Sequence, residues 1–304
     1  MAVQKLSSTD AFVVVDLPDA AASGVVRRAR KILQSSASDL ARSATYTFAA
    51  FGMQRSGASA GINAEGEAIG PAIEAFTTEL GPAVEAGRLH FEAGKGMRAD
   101  QLAPLREVSK VGPQSGSSDL LAASVVAATA WAVGGDLAGR TVAIEGTNQA
   151  PPELKTALTN AGATVVDVWG VEDKPWLVWG AEVDAILAGS KPGTLTHQGT
   201  DYITAKAIVP WGPIPATTKA FAQLRQGGMV TVVPDFVSIA GYLVGGFLDG
   251  DGSAVTASLV TKVVEILEEA SSHPDGVLLG ACYLAEAFIE TWQERKPFGR
   301  PLAA

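Results

Sequence analysis

One stretch of the chain constrains its fold more than any other. Residues 137–170 read LAGRTVAIEGTNQAPPELKTALTNAGATVVDVWG. Short apolar runs at 141–145 and 164–168 predict two strands, and apolar residues at helical spacing over 154–161 predict a helix between them. Pro151-Pro152 suits the first turn of that helix. The pattern indicates a βαβ unit, whose first turn and helix N-terminus would receive the pyrophosphate of a dinucleotide.

The turn of this unit lacks most of the groups that a dinucleotide needs. The expected fingerprint is G-x-G-x-x-G, whereas residues 146–151 read GTNQAP and keep only the first glycine, Gly146. Asn148 adds a side chain where backbone should approach phosphate, and Pro151 removes an N–H. Trp169 and a glycine follow the second strand, where an acidic residue would bind a ribose hydroxyl. A nicotinamide dinucleotide therefore stays open as a cofactor, with a degraded site whose candidates are Gly146, Thr147, Asn148 and the tryptophans discussed below.

Composition excludes several classes of protein. The chain has 304 residues, of which 47% are hydrophobic and 18% charged, which predicts a globular protein of two domains. A net charge of −9 argues against a general nucleic-acid binder. The first ten residues lack the apolar core of a secretory signal, and the apolar run at 120–133 is too short to span a bilayer. With one cysteine, Cys282, no internal disulfide can form. We expect a cytoplasmic protein without nucleic-acid or membrane partners.

The order of predicted elements divides the chain. A segment at 110–118 rich in Gly, Pro and Ser separates a first domain, residues 1–115, from a second, residues 116–275. The C-terminal helical region, residues 276–304, is expected to complete the first domain.

The predicted elements before the boundary are strands at 11–16 and 88–92, helices at 36–53 and 71–84 (the latter interrupted at 81–82), and a glycine-rich turn at 55–62. Those after it are strands at 183–187, 205–209 and 229–233 and helices at 119–133, 254–270 and 276–295, an alternation typical of a parallel sheet.

Several motifs, in this order, resemble the glutamate/leucine/phenylalanine/valine dehydrogenase family. They are AGRTVAIEG, NAGATVVDV, VDAILAG, AKAIVPWG, Thr217-Thr218 and VVPDFVSIAG. Residues 24–27 are similar to the family's GGxR loop, and residues 57–62 to its glycine-rich lysine loop. The resemblance implies a two-domain α/β fold, with an oligomerisation-type first domain and a doubly wound, Rossmann-like second domain. It also implies a homo-oligomer, and a small-molecule ligand in the cleft between the domains.

The residues that carry the family's chemistry are replaced. The lysine that holds the substrate carboxylate aligns with Phe48, the catalytic lysine with Ser59, and the proton-relaying aspartate with or near Gly94. Two asparagines align around 213–214 and with Ile239. A phenylalanine cannot bind a carboxylate, and a serine hydroxyl carries no charge.

Two hypotheses follow from these replacements. The first is a pseudoenzyme, a non-catalytic or repurposed homologue that binds a small molecule or serves as a structural subunit. The second is an oxidoreductase with a rebuilt site that uses NAD(P), with Ser59, Lys95, Arg98 and Asp235 as candidate catalytic residues.

Other patterns keep competing interpretations. Ser59 lies in a G-x-S-x-G sequence, but the predicted helix before it and the lack of one after it favour an ordinary glycine-rich turn. Lys95 and Arg98 could form an anion site or a solvated loop. Trp169 and Trp211 follow two predicted strands, where they could form an aromatic wall for a planar ligand, fill the emptied dinucleotide site, or pack between subunits. The histidines lack metal-ligand spacing, and residues 249–252 match a calcium loop only weakly, so no metal site is predicted.

Overall fold

The computed structural model describes residues 1–172, 174–228 and 230–302, and the fold is α/β. The chain forms two units. The first contains Met1–Gly116 and Ala285–Pro301, and the second contains Ser117–Leu284 with Leu302. Each unit is built around one five-stranded sheet.

The described residues form ten strands. In chain order they are β1 (Ala2–Lys5), β2 (Ala11–Val15), β3 (Ala22–Ala29), β4 (Ser56–Asn63), β5 (Leu89–Ala93), β6 (Thr141–Ile144), β7 (Thr164–Val166), β8 (Ala185–Ala188), β9 (Ala207–Pro210) and β10 (Thr231–Val232). The predicted strands recur within about two residues of their expected ends. Met229, at the start of one of them, lies outside the described residues.

Eleven α-helices and four 3₁₀ turns accompany the strands within the described residues. The helices are α1 (Gln34–Ala50), α2 (Ile69–Glu85), α3 (Ala103–Val108), α4 (Ser118–Ala132), α5 (Pro152–Asn160), α6 (His197–Thr200), α7 (Thr218–Gly227), α8 (Asp235–Ser238), α9 (Gly241–Val244), α10 (Gly252–Ser271) and α11 (Val277–Glu290). The 3₁₀ turns are Gly66–Ala68, Ala99–Leu102, Pro175–Gly180 and Gly245–Phe247.

The sheet of the first unit is mixed, with strand order β1-β2-β4-β3-β5. Strands β3, β4 and β5 are parallel, and β2 runs antiparallel to β4. Because side chains alternate along a strand, the two faces differ. One face presents Ala22, Val26, Ala58 and Ile62 to apolar residues of α2 and forms the main core of this unit.

The predicted glycine-rich turn at 55–62 is wrong, because these residues form β4 between β2 and β3. The small residues serve close packing rather than turning. A Cβ on Gly57 would lie 1.9 Å from the carbonyl oxygen of Ala41 in α1. The stretch 24–27, expected to be a loop, likewise lies within β3, where a Cβ on Gly24 would meet the Ala58 carbonyl.

Two helix predictions also need correction. Helix α2 continues through Pro82 instead of breaking at 81–82. The Pro82 ring is exposed, so water can bond the carbonyl that loses its helical partner. The last helix ends at Glu290, not at 295.

The C-terminal segment of the first unit is held by charged contacts with α1. Tyr46 donates a 2.9 Å hydrogen bond to Glu286, and Arg300 donates to both oxygens of the same carboxylate at 2.7 and 3.0 Å. Burial raises the pKa of Glu286, but the hydrogen bonds from Arg300 and Tyr46 outweigh it, so the pKa lies below its ordinary value. Arg42 bonds the Gly299 carbonyl at 2.6 Å and forms a buried ion pair with Asp16.

The sheet of the second unit is entirely parallel, with strand order β10-β9-β8-β6-β7. The chain leaves β6, forms β7 on one side of it, and then returns to form β8 on the other. The strand order therefore reverses between β6 and β8. In open α/β sheets, ligands bind at such a switch point, beyond the carboxyl ends of the strands. The βαβ frame predicted from 137–170 is thus a Rossmann-like sheet.

Candidate functional site

The crevice at the switch point of the second sheet is bridged by the carboxylate of Glu145. This residue directly follows β6 and is 4% exposed. One carboxylate oxygen accepts hydrogen bonds from the backbone N–H groups of Gly189 and Ser190, both at 3.0 Å. The other accepts from the hydroxyl groups of Ser190 and Thr194, the latter at 2.9 Å. The donors that follow β8 thus bind a carboxylate of the protein itself.

Trp211 closes the same crevice from the side of β9. Its indole N–H donates a 2.9 Å hydrogen bond to the backbone carbonyl of Glu145, and the residue is 8% exposed. Gly189 allows this approach, because a Cβ there would lie 2.8 Å from the indole ring and 2.2 Å from the Gly212 nitrogen. The Trp211 indole is therefore mostly buried at the carboxyl end of β9.

Trp169 has a different environment. It follows β7 and is 94% exposed. Strand β7 lies three strand spacings from β9, or about 14 Å. Trp169 and Trp211 therefore do not form one aromatic wall.

The turn from β6 to α5 is closed by hydrogen bonds among its own residues. Gly146 has a left-handed backbone with φ 68°, and its carbonyl accepts from the amides of Gln149 and Ala150 at 2.8 and 3.1 Å. The Thr147 hydroxyl donates to the Ile144 carbonyl at 2.8 Å. Asn148 is exposed.

Helix α5 is a poor place for a phosphate. Pro151 caps it and Pro152 opens it, so neither position has an N–H to offer. Its first turn carries the carboxylate of Glu153. This carboxylate interacts favourably with the positive end of the helix dipole and would repel a phosphate. With Glu145 beside it, this end of β6 is acidic.

Asp235 lies at the end of β10, where it opens the single-turn helix α8. It is 4% exposed, and its carboxylate accepts a 2.9 Å hydrogen bond from the amide of Ile214. Ile214 has φ 52°, the one non-glycine positive φ among the described residues. A β-branched residue is strained in this region, so the Asp235 contact holds a costly backbone conformation beside the site.

The face of the first sheet opposite its main core is apolar along β2, where Phe12 and Val14 pack against α1, and polar along β3 to β5, the part called the polar face below. Val25 lies between Ser59 of β4 and Glu92 of β5, and Arg27 follows on the same face. Ser59 is completely buried, and its hydroxyl has no hydrogen-bond partner among the described atoms. Arg27 bonds Ser36 through one nitrogen, while its Nε is buried and unpartnered within the same described set.

Burial changes the acidity of the guanidinium groups near this face. It lowers the pKa of Arg27, against the smaller raising effect of Asp39. It lowers the pKa of Arg55, which bonds the Ser23 hydroxyl at 2.6 Å, to about 10. Both guanidinium groups carry positive charge, and the one carboxylate that the sheet places beside Val25, Glu92, is bonded to Arg106.

Lys95 and Arg98 lie in the exposed loop after β5. Arg98 donates two hydrogen bonds to Asp100 at 2.9 and 2.7 Å, and these raise the pKa of Arg98 while cancelling its charge. Gly94, at the start of this loop, packs against the Arg27 side chain. Phe48, expected at the position of a substrate-binding lysine, is completely buried in α1.

Sequence reasoning missed a buried network beside the same face. His90 contacts Glu92 at 2.8 Å and Ser109 at 2.8 Å, and Arg106 bonds the second oxygen of Glu92. In the sequence, its one signal is the alternation of polar and apolar residues at 90–92, which read HFE. Ser115, at 3.2 Å from His90, closes the network on the chain segment that leads out of the unit.

Among the residues that the structure describes, no group of three metal-ligating side chains comes together. In the same part of the chain, no helix has the length and apolar character needed to cross a bilayer.

Comparisons with known proteins bear on the fold. No family model matches the sequence, and a sequence search of curated proteins returns no relative. Solved structures do match. A hetero-hexameric glutamate dehydrogenase from Thermus thermophilus in its Leu-bound form is 19% identical, with TM-score 0.80, and the match covers 98% of this chain and 90% of that one.

Two further structures agree. L-tryptophan dehydrogenase from Nostoc punctiforme is 18% identical with TM-score 0.67, covering 96% of this chain and 95% of that chain. Plasmodium falciparum glutamate dehydrogenase is 12% identical with TM-score 0.72, covering 93% and 79%. The chain has an amino-acid-dehydrogenase-like fold. This confirms the fold that the sequence motifs implied, and identities this low say nothing of the activity.

Proposed function

We propose that the chain is a non-catalytic or repurposed protein built on the amino-acid dehydrogenase fold. The observation that carries this proposal is the closed switch point, where Glu145 binds the amides of Gly189 and Ser190. Those amides lie just beyond the carboxyl end of β8, at the crevice where ligands bind in open α/β sheets. A dinucleotide would have to displace a carboxylate that has four hydrogen-bond donors, and it would meet further acidic charge at Glu153.

The first unit supports the same proposal. Ser59 stands where the family resemblance implies a catalytic lysine, and it is buried and neutral. Phe48, in the position of the carboxylate-binding lysine, is part of the α1 core. Phe48 cannot hold a carboxylate, and the neutral Ser59 hydroxyl cannot supply the positive charge of a lysine.

The ligand that we propose is a small anion at the polar face of the first sheet. Arg27 and Ser59 supply buried polar atoms without protein partners among the described residues, and leaving such atoms unsatisfied costs about 1–3 kcal/mol each. Arg27→Met should abolish binding of small carboxylates in a calorimetric screen. Arg30→Met, at an exposed position nearby, serves as the control. Equal binding by both variants would contradict this location.

We also propose a cytoplasmic homo-oligomer assembled through the first unit. One similar structure is a hetero-hexameric enzyme, which supports assembly as a property of the fold. Light scattering on the purified chain should give a multiple of the 31.2 kDa chain mass. A monomer at all concentrations would contradict the proposal.

A turnover assay tests the absence of catalysis. The chain is incubated with each common amino acid and NAD⁺ or NADP⁺, and reduced cofactor is followed by absorbance, with an active amino-acid dehydrogenase as the positive control. We expect no amino-acid-dependent reduction. Saturable turnover would refute the proposal.

The alternative function is an NAD(P)-dependent oxidoreductase with a rebuilt site. It is favoured by the strained Ile214 that Asp235 holds at the sheet edge, because such strain gathers at functional sites. If turnover is found, Asp235→Asn should abolish it while keeping an acceptor for the Ile214 amide. Asp201→Asn, at an exposed position of the same unit, should leave it unchanged.

A further inference from the structure

Two aromatic side chains are far more exposed than the other large apolar residues of the described chain. Phe298, in the first unit, is 99% exposed, and Trp169, in the second unit, is 94% exposed. The next such residue within the described ranges is Tyr202, at 64%. A single exposed apolar residue is ordinary, whereas a cluster of them marks an interaction surface. The surroundings of both residues therefore bear on what they contact.

Trp169 belongs to a cluster of exposed side chains that we call the aromatic patch, consisting of Trp169, Trp176, Leu177 and Tyr202. After β7 the chain turns back, and the Lys174 amide donates a 3.0 Å hydrogen bond to the Gly170 carbonyl. A Cβ on Gly170 would lie 3.4 Å from the Leu177 side chain, and one on Gly180 would lie 3.9 Å from the Cβ of Tyr202. The four side chains thus share one surface of the second unit.

Phe298 projects from a segment whose backbone is fixed. We call residues 294–299 the C-terminal turn. Arg42 of α1 donates hydrogen bonds to the carbonyls of Phe298 and Gly299. Arg300, the next residue, is held by Glu286. Because this backbone is already ordered, burying the Phe298 ring against a partner costs little further conformational entropy.

The two surfaces carry opposite charge. Residues 167–182, which include most of the aromatic patch, contain four carboxylates and one lysine. Residues 291–300 contain one carboxylate and three cations, of which Arg295 and Lys296 are exposed. Cations also bind favourably over the faces of tryptophan and tyrosine rings. The C-terminal turn therefore matches the patch both in its aromatic ring and in its charge.

Two of these charges already have partners, and both pairs are exposed. Asp167 contacts Lys155 at 3.5 Å, and Lys296 contacts Glu290 at 2.8 Å. Exposed pairs of this kind contribute little to stability, so they can exchange with charges of another chain.

Every copy of the chain carries both surfaces. We propose that the aromatic patch of one copy binds the C-terminal turn of a second copy, with the Phe298 ring against the Trp169 indole. Aromatic pairs of this kind contribute beyond their buried area. The contact joins two different surfaces and is therefore heterologous, so it can repeat from copy to copy. Because few residues contribute, it is a weak contact that forms as the protein concentration rises.

Acrylamide quenching of tryptophan fluorescence in the full chain tests the proposal. Trp169 and Trp176 are the exposed tryptophans of the described chain, so quenching reports mainly on the aromatic patch. We expect quenching of the unmodified chain to fall as protein concentration rises. Phe298→Ala should shift this change to a concentration roughly 10-fold higher or more, the effect of losing a central interface side chain. Leu33→Ala removes another exposed apolar side chain of the first unit and should leave the change where it is.

Mixing two variants then identifies the occupant of the patch. Phe298→Ala chains keep the patch, and Trp169→Ala chains keep the C-terminal turn. Adding Trp169→Ala chains to Phe298→Ala chains should protect the patch of the latter, so that the mixture is quenched less than the sum of its parts. A chain with both substitutions has the same tryptophans as Trp169→Ala but no Phe298, and it should give no protection. Circular dichroism verifies the fold of each variant.

Two results would overturn the proposal. One is quenching of the unmodified chain that does not change with concentration, which would leave the patch to a partner other than a second copy. The other is a mixture that is quenched like the sum of its parts, or that is protected equally by the doubly substituted chain.

Discussion

Replacing Glu145 by Gln tests whether its carboxylate stabilises the second unit through its hydrogen bonds at the switch point. Glutamine has nearly the same volume, so packing is kept while the charge is removed. Its carbonyl oxygen can still accept from the amides of Gly189 and Ser190, and its NH₂ group then faces the hydroxyl groups of Ser190 and Thr194. The hydroxyl groups can rotate to accept, whereas the backbone amides cannot change role.

The size of the effect follows from these contacts. Hydrogen bonds to a charged group contribute about 1.5–3 kcal/mol and neutral ones about 0.5–1.5, so two amide bonds lose about 2 kcal/mol together. For a unit of this size, that loss lowers the Tm by roughly 4–8 °C. Glu145→Ala leaves all four donors without the carboxylate and should cost more, about 4 kcal/mol, at about 1 kcal/mol or more for each.

Tryptophan fluorescence can follow this unfolding selectively. Of the six tryptophans, all but Trp292 belong to the second unit. Urea titrations of Glu145→Gln and Glu145→Ala should show the second unit losing stability in that order. Glu182→Gln, at an exposed position of the same unit, should behave like the unmodified chain. If Glu145→Gln is as stable as the unmodified chain, the carboxylate does not support the site.

Three further predictions concern the first unit. Asp16→Asn should cost about 3–5 kcal/mol in urea unfolding, because it leaves the buried Arg42 guanidinium without its ion pair. Gly57→Ala should prevent stable folding, since its Cβ would lie 1.9 Å from a backbone oxygen of α1; soluble expression and circular dichroism report this. Hydrogen bonds from the Ser8 hydroxyl and nearby amides lower the pKa of Glu79 from 4.5 to about 2, so their stabilisation should be lost as pH falls from about 4.5 towards 2, and Glu79→Gln should remove this part of the acid dependence.

Matched controls make these three predictions specific. Asp19→Asn and Glu74→Gln change exposed carboxylates and should leave unfolding nearly unaltered. Gly227→Ala adds a methyl group where nothing lies within 4 Å, and it should be neutral or stabilising by about 0.5–1 kcal/mol in its helix. A Gly57→Ala chain that folds normally, or an Asp16→Asn chain of unchanged stability, would contradict the packing described.

Much of the second unit could be predicted from the sequence, because its strands are short apolar runs bounded by glycine and its helices show clear periodicity. The βαβ unit around β6 and β7 is the clearest case. What the sequence did not reveal is the bond between Glu145 and the residues after β8. Those partners lie more than 40 residues away, and a charged residue at the end of a strand is not by itself a signal.

The first unit was harder to predict because its glycines have an unusual role. The run SGASAGIN satisfies the pattern of a flexible turn, yet it forms β4, the strand against which α1 packs most closely. Glycine in a strand can mark either the close approach of another backbone or a bend, and only the fold distinguishes the two. The polar face was predictable in part, from Arg27 and Ser59, whereas the network around His90 depends on a segment that folds over β5.

The central claim is that the switch point of the second sheet is closed to a dinucleotide. Its most direct test is a titration of the full chain with NADH and NADPH, followed by tryptophan fluorescence, since Trp211 forms part of the crevice. An active amino-acid dehydrogenase titrated in parallel shows the signal of a working site. We predict no saturable change with either cofactor. Saturable quenching at micromolar cofactor would contradict the account.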